Sequence, residues 1–122
     1  MIGADYAYNF INKVDLKKGQ KVFVNGATGA IGSAAVQLLK YFDIPVTAVC
    51  ATKNIALVKS LGADTIIDYT REDFTKDNQK YDFVFDTVGK SSFFKCTHLL
   101  KPGGVYISSD LGYNNHTAHS AL

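Results

Sequence analysis

Three glycines, Gly26, Gly29 and Gly32, stand three residues apart in the run Asn25-Gly26-Ala27-Thr28-Gly29-Ala30-Ile31-Gly32. The run follows an apolar segment, Val22-Phe23-Val24, and opens a stretch with helical periodicity. That arrangement is suited to holding a pyrophosphate. The first glycine permits a tight turn out of a strand, the second lets backbone amides approach phosphate oxygens, and the third lets helix and strand pack closely. Ala27 stands where the commoner Gly-x-Gly-x-x-Gly spelling wants a glycine, so the Gly-x-x-Gly-x-x-Gly spelling from Gly26 fits better. Thr28 and Gly29 form the middle of the turn, and Ala30 and Ile31 carry the amides nearest the phosphates. The helix starting near Ala30 adds a partial positive charge of about +0.5 at its N-terminus. The expected guest is a dinucleotide or mononucleotide phosphate.

A second position decides between dinucleotides. An acidic residue at the end of the second strand binds the ribose 2′-hydroxyl of NAD, yet this segment reads Cys50-Ala51-Thr52-Lys53-Asn54. It offers a hydroxyl, an ammonium and an amide instead. A carboxylate would repel a 2′-phosphate, whereas Lys53 attracts one, so NADPH is the expected cofactor. The plainer reading of Lys53 is a solvated first-turn lysine. Tyr69, after the third strand, is placed to reach the adenosine end or to pack half-buried. Asp86-Thr87-Val88-Gly89 ends the fourth strand and Ser108-Ser109 the fifth. Carboxyl ends of strands line the ligand crevice of open α/β sheets, which makes Thr87, Val88 and Ser108 neighbours of the nicotinamide half. Asp86 is placed to cap or brace the turn that follows.

Other reactive side chains carry less. Cys50 and Cys96 show no metal-ligand spacing and read as reduced residues of the core. His116 and His119 stand in a polar tail, His98 has no acidic or nucleophilic companion in sequence, and Asn115-His116-Thr117 is a chance sequon. No residue is assigned as catalytic, and none as a metal ligand.

These groups must be held by a scaffold. Lys21–Asn25, Val46–Cys50, Thr65–Asp68, Asp82–Asp86 and Val105–Ser109 read as buried strands. Ile31, Ala34, Ala35, Leu38, Leu39 and Phe42 recur at helical steps, with Lys40 on the wet side. Asn54–Leu61 reads as a shorter helix closed by Gly62, and Ser91 caps a helix through Leu100 that Lys101-Pro102-Gly103-Gly104 stops. A helix over 4–12 leads in, and 113–122 reads as a disordered tail. The stretch Thr70–Lys80 is a surface helix or loop and is given no chemistry. Strand alternating with helix predicts an α/β fold: a Rossmann-like, doubly wound parallel sheet in three layers, a single domain over 1–112.

At 122 residues and 47% hydrophobic, the chain holds one core. Twelve lysines and one arginine are scattered against ten aspartates and one glutamate, leaving no basic stripe for nucleic acid. No apolar run approaches the roughly 20 residues of a membrane span, and the start has no signal pattern, which makes a cytoplasmic protein the expectation.

The combination resembles the nucleotide-binding domain of the medium-chain dehydrogenase/reductase superfamily, in its zinc-independent quinone oxidoreductase-like branch. The resemblance rests on Lys17-Lys18-Gly19-Gln20-Lys21-Val22, Gly26-Ala27-Thr28-Gly29-Ala30-Ile31-Gly32 and Ala35-Val36-Gln37. Leu61-Gly62-Ala63-Asp64, Ile67-Asp68-Tyr69, Phe85-Asp86-Thr87-Val88-Gly89 and Leu100-Lys101-Pro102-Gly103-Gly104 extend it. It implies hydride transfer from NADPH to a quinone, an enone or a related electrophilic carbonyl or alkene. It puts Ala30 and Ile31 at the pyrophosphate, Thr52, Lys53 and Tyr69 at the adenosine phosphate, and Val88 at the nicotinamide ribose. It also implies a barrel-like (GroES-like) substrate domain that these residues do not include, through which the small-molecule electrophile would bind. The chain therefore reads as a fragment that binds NADPH and catalyses poorly alone, and edge pairing of the last strand makes a homodimer the expected assembly. Short-chain reductases and epimerases share the Gly-Ala-Thr-Gly-x-x-Gly turn but need a Tyr-x-x-x-Lys pair, and no tyrosine here has a lysine four positions later. A methyltransferase fold lacks the cation at the second strand. The remaining rival, from another functional class, is a non-catalytic NADPH-binding sensor or interaction module.

Overall fold

The structure is a computed structural model that describes residues 19–76, 78–88, 93–108 and 119–120. The helix expected over 4–12 and the cap expected at Ser91 lie outside the described residues. Strands β1 (Val22–Asn25), β2 (Val46–Cys50), β3 (Thr65–Asp68), β4 (Tyr81–Asp86) and β5 (Leu100–Ser108) run parallel. A two-residue strand, β6 (His119–Ser120), closes the sheet antiparallel. The spatial order is β3-β2-β1-β4-β5-β6. This is the Rossmann-like doubly wound sheet, with β1 central and the chain reversing direction across the sheet on either side of it.

Every residue of β1 and β2 is buried, as a parallel sheet covered on both faces requires. On one face Val22, Val24, Ala48, Phe85 and Ile107 meet helix α1 (Ala30–Tyr41) and Val58 of α2 (Ile55–Ser60). On the other, Phe23, Val49, Val84 and Tyr106 pack with Cys96 of α3 (Phe93–Thr97) and with Phe74 in a 3₁₀ turn at Phe74–Lys76. Three layers result. Among the described residues, no helix is long and apolar enough to cross a membrane.

The helical face of α1 buries Ala34, Ala35 and Leu39 as the spacing predicts, and Ile31 and Leu38 pack partly buried against the same core. Phe42 does not join them. It is the C-cap of the helix, where the chain leaves the helical path, and it stays 41% exposed. Gly62 closes α2 as expected, its N–H bonded to the Lys59 carbonyl at 3.1 Å. The described residues of the Thr70–Lys80 stretch are loop apart from the 3₁₀ turn at Phe74–Lys76.

The largest departure lies around Pro102. α3 ends at Thr97, and Leu100 already pairs with Tyr81 as the first residue of β5 instead of ending a helix. The ladder then slips, and Phe83 pairs with Val105. Proline has no N–H to give the ladder, so the Pro102-Gly103-Gly104 segment is accommodated as an irregularity inside the strand and does not precede it. At the other end, the 113–122 segment read as a tail contributes β6, which pairs Ser120 with Val105 and His119 with Tyr106. The folded unit thus reaches past residue 112. Two residues carry too little periodicity for a strand to be read from sequence.

Candidate cofactor site

The glycine turn leaves β1 at the point where the parallel register sets Asn25 beside Val49 of β2 and Asp86 of β4. Gly26 takes φ +88°, a left-handed conformation that side chains disfavour, and a Cβ there would collide with the Thr87 hydroxyl. Gly32, one turn into α1, sits so close to the Gly26 carbonyl oxygen that no Cβ fits. Gly29 is different: a Cβ there would meet nothing within 4 Å. The three glycines therefore turn the chain, leave room, and close helix on strand, the division of labour a pyrophosphate cradle needs.

Gly29 is the N-cap of α1 in extended conformation, without a side-chain cap and without an acidic residue in the first turn. Ser33 N–H makes the first helical bond, to the Gly29 carbonyl at 2.9 Å, so the N–H groups of Ala30, Ile31 and Gly32 precede the hydrogen-bonded ladder. An anion is favoured at this end.

A cleft of about 1040 Å³ opens along the carboxyl ends of the central strands. Its lining brings together Asn25 and Gly26 of the turn, and Thr28, Lys53, Tyr69 and Val88 among the residues singled out from sequence. Lys53 stands in a 3₁₀ turn, Thr52–Asn54, that leads β2 into α2. Gly29, Ala30, Ile31, Thr52, Thr87 and Ser108 fall outside the lining. Gly29, Ala30 and Ile31 flank it at the helix end, with Ile31 partly buried against the core.

The other three have duties inside the protein. The Thr52 hydroxyl donates to Asp68 Oδ2. The Thr87 hydroxyl lies 2.8 Å from the carbonyl oxygens of both Asn25 and Gly26, sharing its one proton between them, and so ties the exit of β4 to the glycine turn. Ser108 is buried and hydrogen-bonds the Tyr106 phenol, an environment of protein rather than ligand.

Beneath the cleft lies a buried carboxylate. Asp86 accepts from Tyr106 at 2.7 Å, from Asn25 Nδ2 at 3.3 Å and from the Val88 N–H at 3.0 Å, and the Cys96 thiol is 3.9 Å away. The Val88 contact is the brace expected of Asp86. Burial, then the bond to Asp86, pushes the Tyr106 phenol well above its ordinary range. Cys50 and Cys96 are buried and not joined in a disulfide, and burial followed by the charge of Asp68 pushes the Cys50 thiol up.

Several lining residues carry no sequence signal. Arg71 of the β3 exit and Phe94, Lys95 and His98 of the α3 wall face the cleft because the sheet order brings β3 and α3 to its two sides. Arg71 is the one arginine of the chain. Lys95 lies near enough to Asp73, across the cleft, to join Thr75 and Lys76 in holding that carboxyl below its usual range; the Thr75 hydroxyl is the leading cause.

A family model described as zinc-binding dehydrogenase matches residues 30–119. The chain belongs to that family. Within it, this dehydrogenase chain is a nucleotide-binding domain of the medium-chain dehydrogenase/reductase superfamily, in the zinc-independent quinone oxidoreductase-like branch. It is 36% identical over 105 residues to the 2-methylene-furan-3-one reductase of Solanum lycopersicum, covering 84% of this chain and 26% of that one. To the chloroplastic NADPH-dependent alkenal/one oxidoreductase of Arabidopsis thaliana it is 36% identical over 98 residues, covering 79% of this chain and 25% of the relative. Among solved structures, the quinone oxidoreductase from Coxiella burnetii superposes with a TM-score of 0.80 at 31% identity, over 86% of this chain and 34% of that one. The chain thus spans about a quarter of the length of the curated relatives it matches. These relatives are named as reductases or oxidoreductases, and the Arabidopsis one is named as NADPH-dependent.

Proposed function

We propose that this domain binds NADPH and that the whole protein uses it to reduce an electrophilic alkene, enone or quinone. The observation that carries the reading is Lys53. It lines the same cleft as the glycine turn, in the place where an NAD-binding sheet carries a carboxylate. Asp68, the last residue of β3 beside Cys50, is buried and engaged by Thr52 and Thr70. The Arabidopsis relative, named as NADPH-dependent, supports the same choice.

In this reading the amides at the start of α1 and the turn at Thr28 and Gly29 hold the pyrophosphate. Lys53 takes the ribose 2′-phosphate, with Tyr69 beside the adenosine. Val88, its N–H fixed by Asp86, bounds the nicotinamide ribose, while Thr87 and Ser108 shape that end from behind. When bound, NADPH supplies the hydride. The domain's residues orient the cofactor and exclude water from one side of it, and none of them has to move a proton. The electrophile would enter between this domain and a barrel-like substrate domain of the whole protein.

Titration of the chain with NADPH and NADH, followed by nicotinamide fluorescence and by calorimetry, tests the reading. The expected result is saturable binding of both with a clear preference for NADPH. Equal affinity for the two would overturn the cofactor assignment, and binding of neither would overturn the dinucleotide reading altogether.

A further inference from the structure

The wall that carries Lys53 is held by a carboxylate that does not face the cleft. The parallel register sets Cys50, the last residue of β2, beside Asp68, the last of β3, and the Tyr69 N–H bonds back to the Cys50 carbonyl at 3.2 Å. From these adjacent ends the chain runs into Thr52–Asn54 on one side and Tyr69-Thr70-Arg71 on the other. Asp68 joins the two. Its Oδ2 accepts the Thr52 hydroxyl, and its Oδ1 accepts both the Thr70 hydroxyl at 2.6 Å and the Thr70 N–H at 2.9 Å. The two threonine oxygens are 3.0 Å apart, and Arg71 Nε lies 3.8 Å from Oδ2.

Residues alternate in their duties along this wall. Thr52, Asp68 and Thr70 close on one another, while Lys53, Tyr69 and Arg71, their chain neighbours, line the cleft. We propose that Asp68 is a positioning residue for recognition of the ribose 2′-phosphate: by clasping Thr52 and Thr70 it fixes Lys53 and Tyr69 on one wall, and so sets the preference for NADPH over NADH without touching either cofactor. The inference rests on the reading of the cleft as an NADPH site. It assigns Thr52 a different part from the one its type suggests. A hydroxyl has one proton to give, and that of Thr52 goes to Asp68, so Thr52 acts through the position of Lys53.

The clasp also answers the objection that Asp68 raises to a 2′-phosphate at this end of the sheet; Glu72 and Asp73 line the cleft as well, and Asp73 accepts the Thr75 hydroxyl. An ionised carboxylate accepts and never donates, and it repels phosphate. Asp68 is buried, lies outside the cleft lining, and spends its oxygens on three hydrogen bonds inside the protein, beside an arginine. A ribose 2′-hydroxyl seeking a carboxylate would have to displace those donors.

The test measures NADPH and NADH dissociation constants for the wild-type chain and for T52S, T52V and D68N, with thermal melts beside them. T52S keeps the hydroxyl and is expected to keep the wild-type ratio of the two constants. T52V and D68N are expected to reduce that ratio by about tenfold, chiefly by weakening NADPH. A merely structural clasp would lower the melting temperature and weaken both cofactors alike, so an unchanged ratio in T52V overturns the role of Asp68 while leaving the NADPH reading in place. A wild-type chain without preference for NADPH overturns both. If D68N does not fold, the T52S and T52V pair decides.

Discussion

Tyr106 donates its hydroxyl to Asp86 at 2.7 Å across the ends of β5 and β4, and both residues are buried. Neutral donors reach the carboxylate from three directions: the Tyr106 phenol, the Asn25 amide and the Val88 N–H. Those donors belong to β5, to the residue before the glycine turn, and to the loop that bounds the cleft. One buried acid therefore joins the core to the cofactor site, and leaving it short of a donor costs more than the bond itself is worth.

The Y106F variant tests this link. It keeps the ring and its packing but takes one donor from a buried carboxylate, a change expected to cost about 1–3 kcal/mol of unfolding free energy. Urea denaturation of wild type and variant measures it. A loss under about 0.5 kcal/mol, the range of ordinary surface substitutions, would mean that Asp86 does not depend on the phenol.

The glycines of the turn are expected to separate stability from binding. In G32A the new methyl meets the Gly26 carbonyl, and the strain of overpacking is expected to destabilise the fold by about 1–3 kcal/mol. G29A adds its methyl to open space at the helix end. It is expected to melt within a few degrees of wild type while weakening NADPH and NADH together, because the methyl stands where phosphate approaches the amides. Calorimetric titration beside thermal melts reads both effects. Wild-type affinity in G29A would remove the cradle from this turn.

Much of this geometry is legible in local sequence. Gly26, Gly29 and Gly32 declare themselves by their spacing between strand and helix, and β1 and β2 show as apolar runs because both their faces are covered. What stays hidden depends on distant partners. Thr52 looks like a phosphate donor until Asp68, 16 positions on, is seen to take its proton. Ser108 looks like a cleft residue, yet it is buried and falls outside the cleft lining. Pro102 and the glycines after it look like a break between elements, but the ladder with β4 resumes beyond them and makes them an interruption within one strand. Arg71 and Lys95 reach a common cleft only through the order of strands, which no local pattern states.

The clasp on Asp68 makes stability depend on pH in a stated direction. Hydrogen bonds from Thr52 first, then Thr70, with Arg71 adding a smaller attraction, hold this carboxyl below its usual range. A carboxyl with a lowered folded pKa binds protons more readily when unfolded. Its contribution is therefore complete above the unfolded value of about 3.9 and is lost as pH falls through the lower folded value. The expected outcome is a D68N variant less stable than wild type from pH 7 down to about 5, with the gap closing below about 4. Denaturant melts at fixed pH steps measure it. A gap that stays constant down to pH 3 would show that the ionised form of Asp68 is not what the clasp rewards.

Lys53 carries the last prediction. Its ammonium is exposed on the cleft wall, so water screens it and the lower end of the range for a charge-assisted bond applies, about 1.5 kcal/mol or roughly tenfold in affinity. K53A is accordingly expected to weaken NADPH about tenfold and to leave NADH within about twofold. K53E should go further, since the carboxylate repels a 2′-phosphate and restores the acceptor that a ribose 2′-hydroxyl uses, so the preference is expected to turn toward NADH. Salt supplies an independent check. The wild-type preference for NADPH should shrink between 0.05 and 0.5 M sodium chloride, where the Debye length falls about threefold and screens the ion pair, whereas K53A should show little dependence. Parallel salt curves for the two chains, or equal losses of NADPH and NADH in K53A, would move the 2′-phosphate away from Lys53 and toward Arg71, the other cation on that wall.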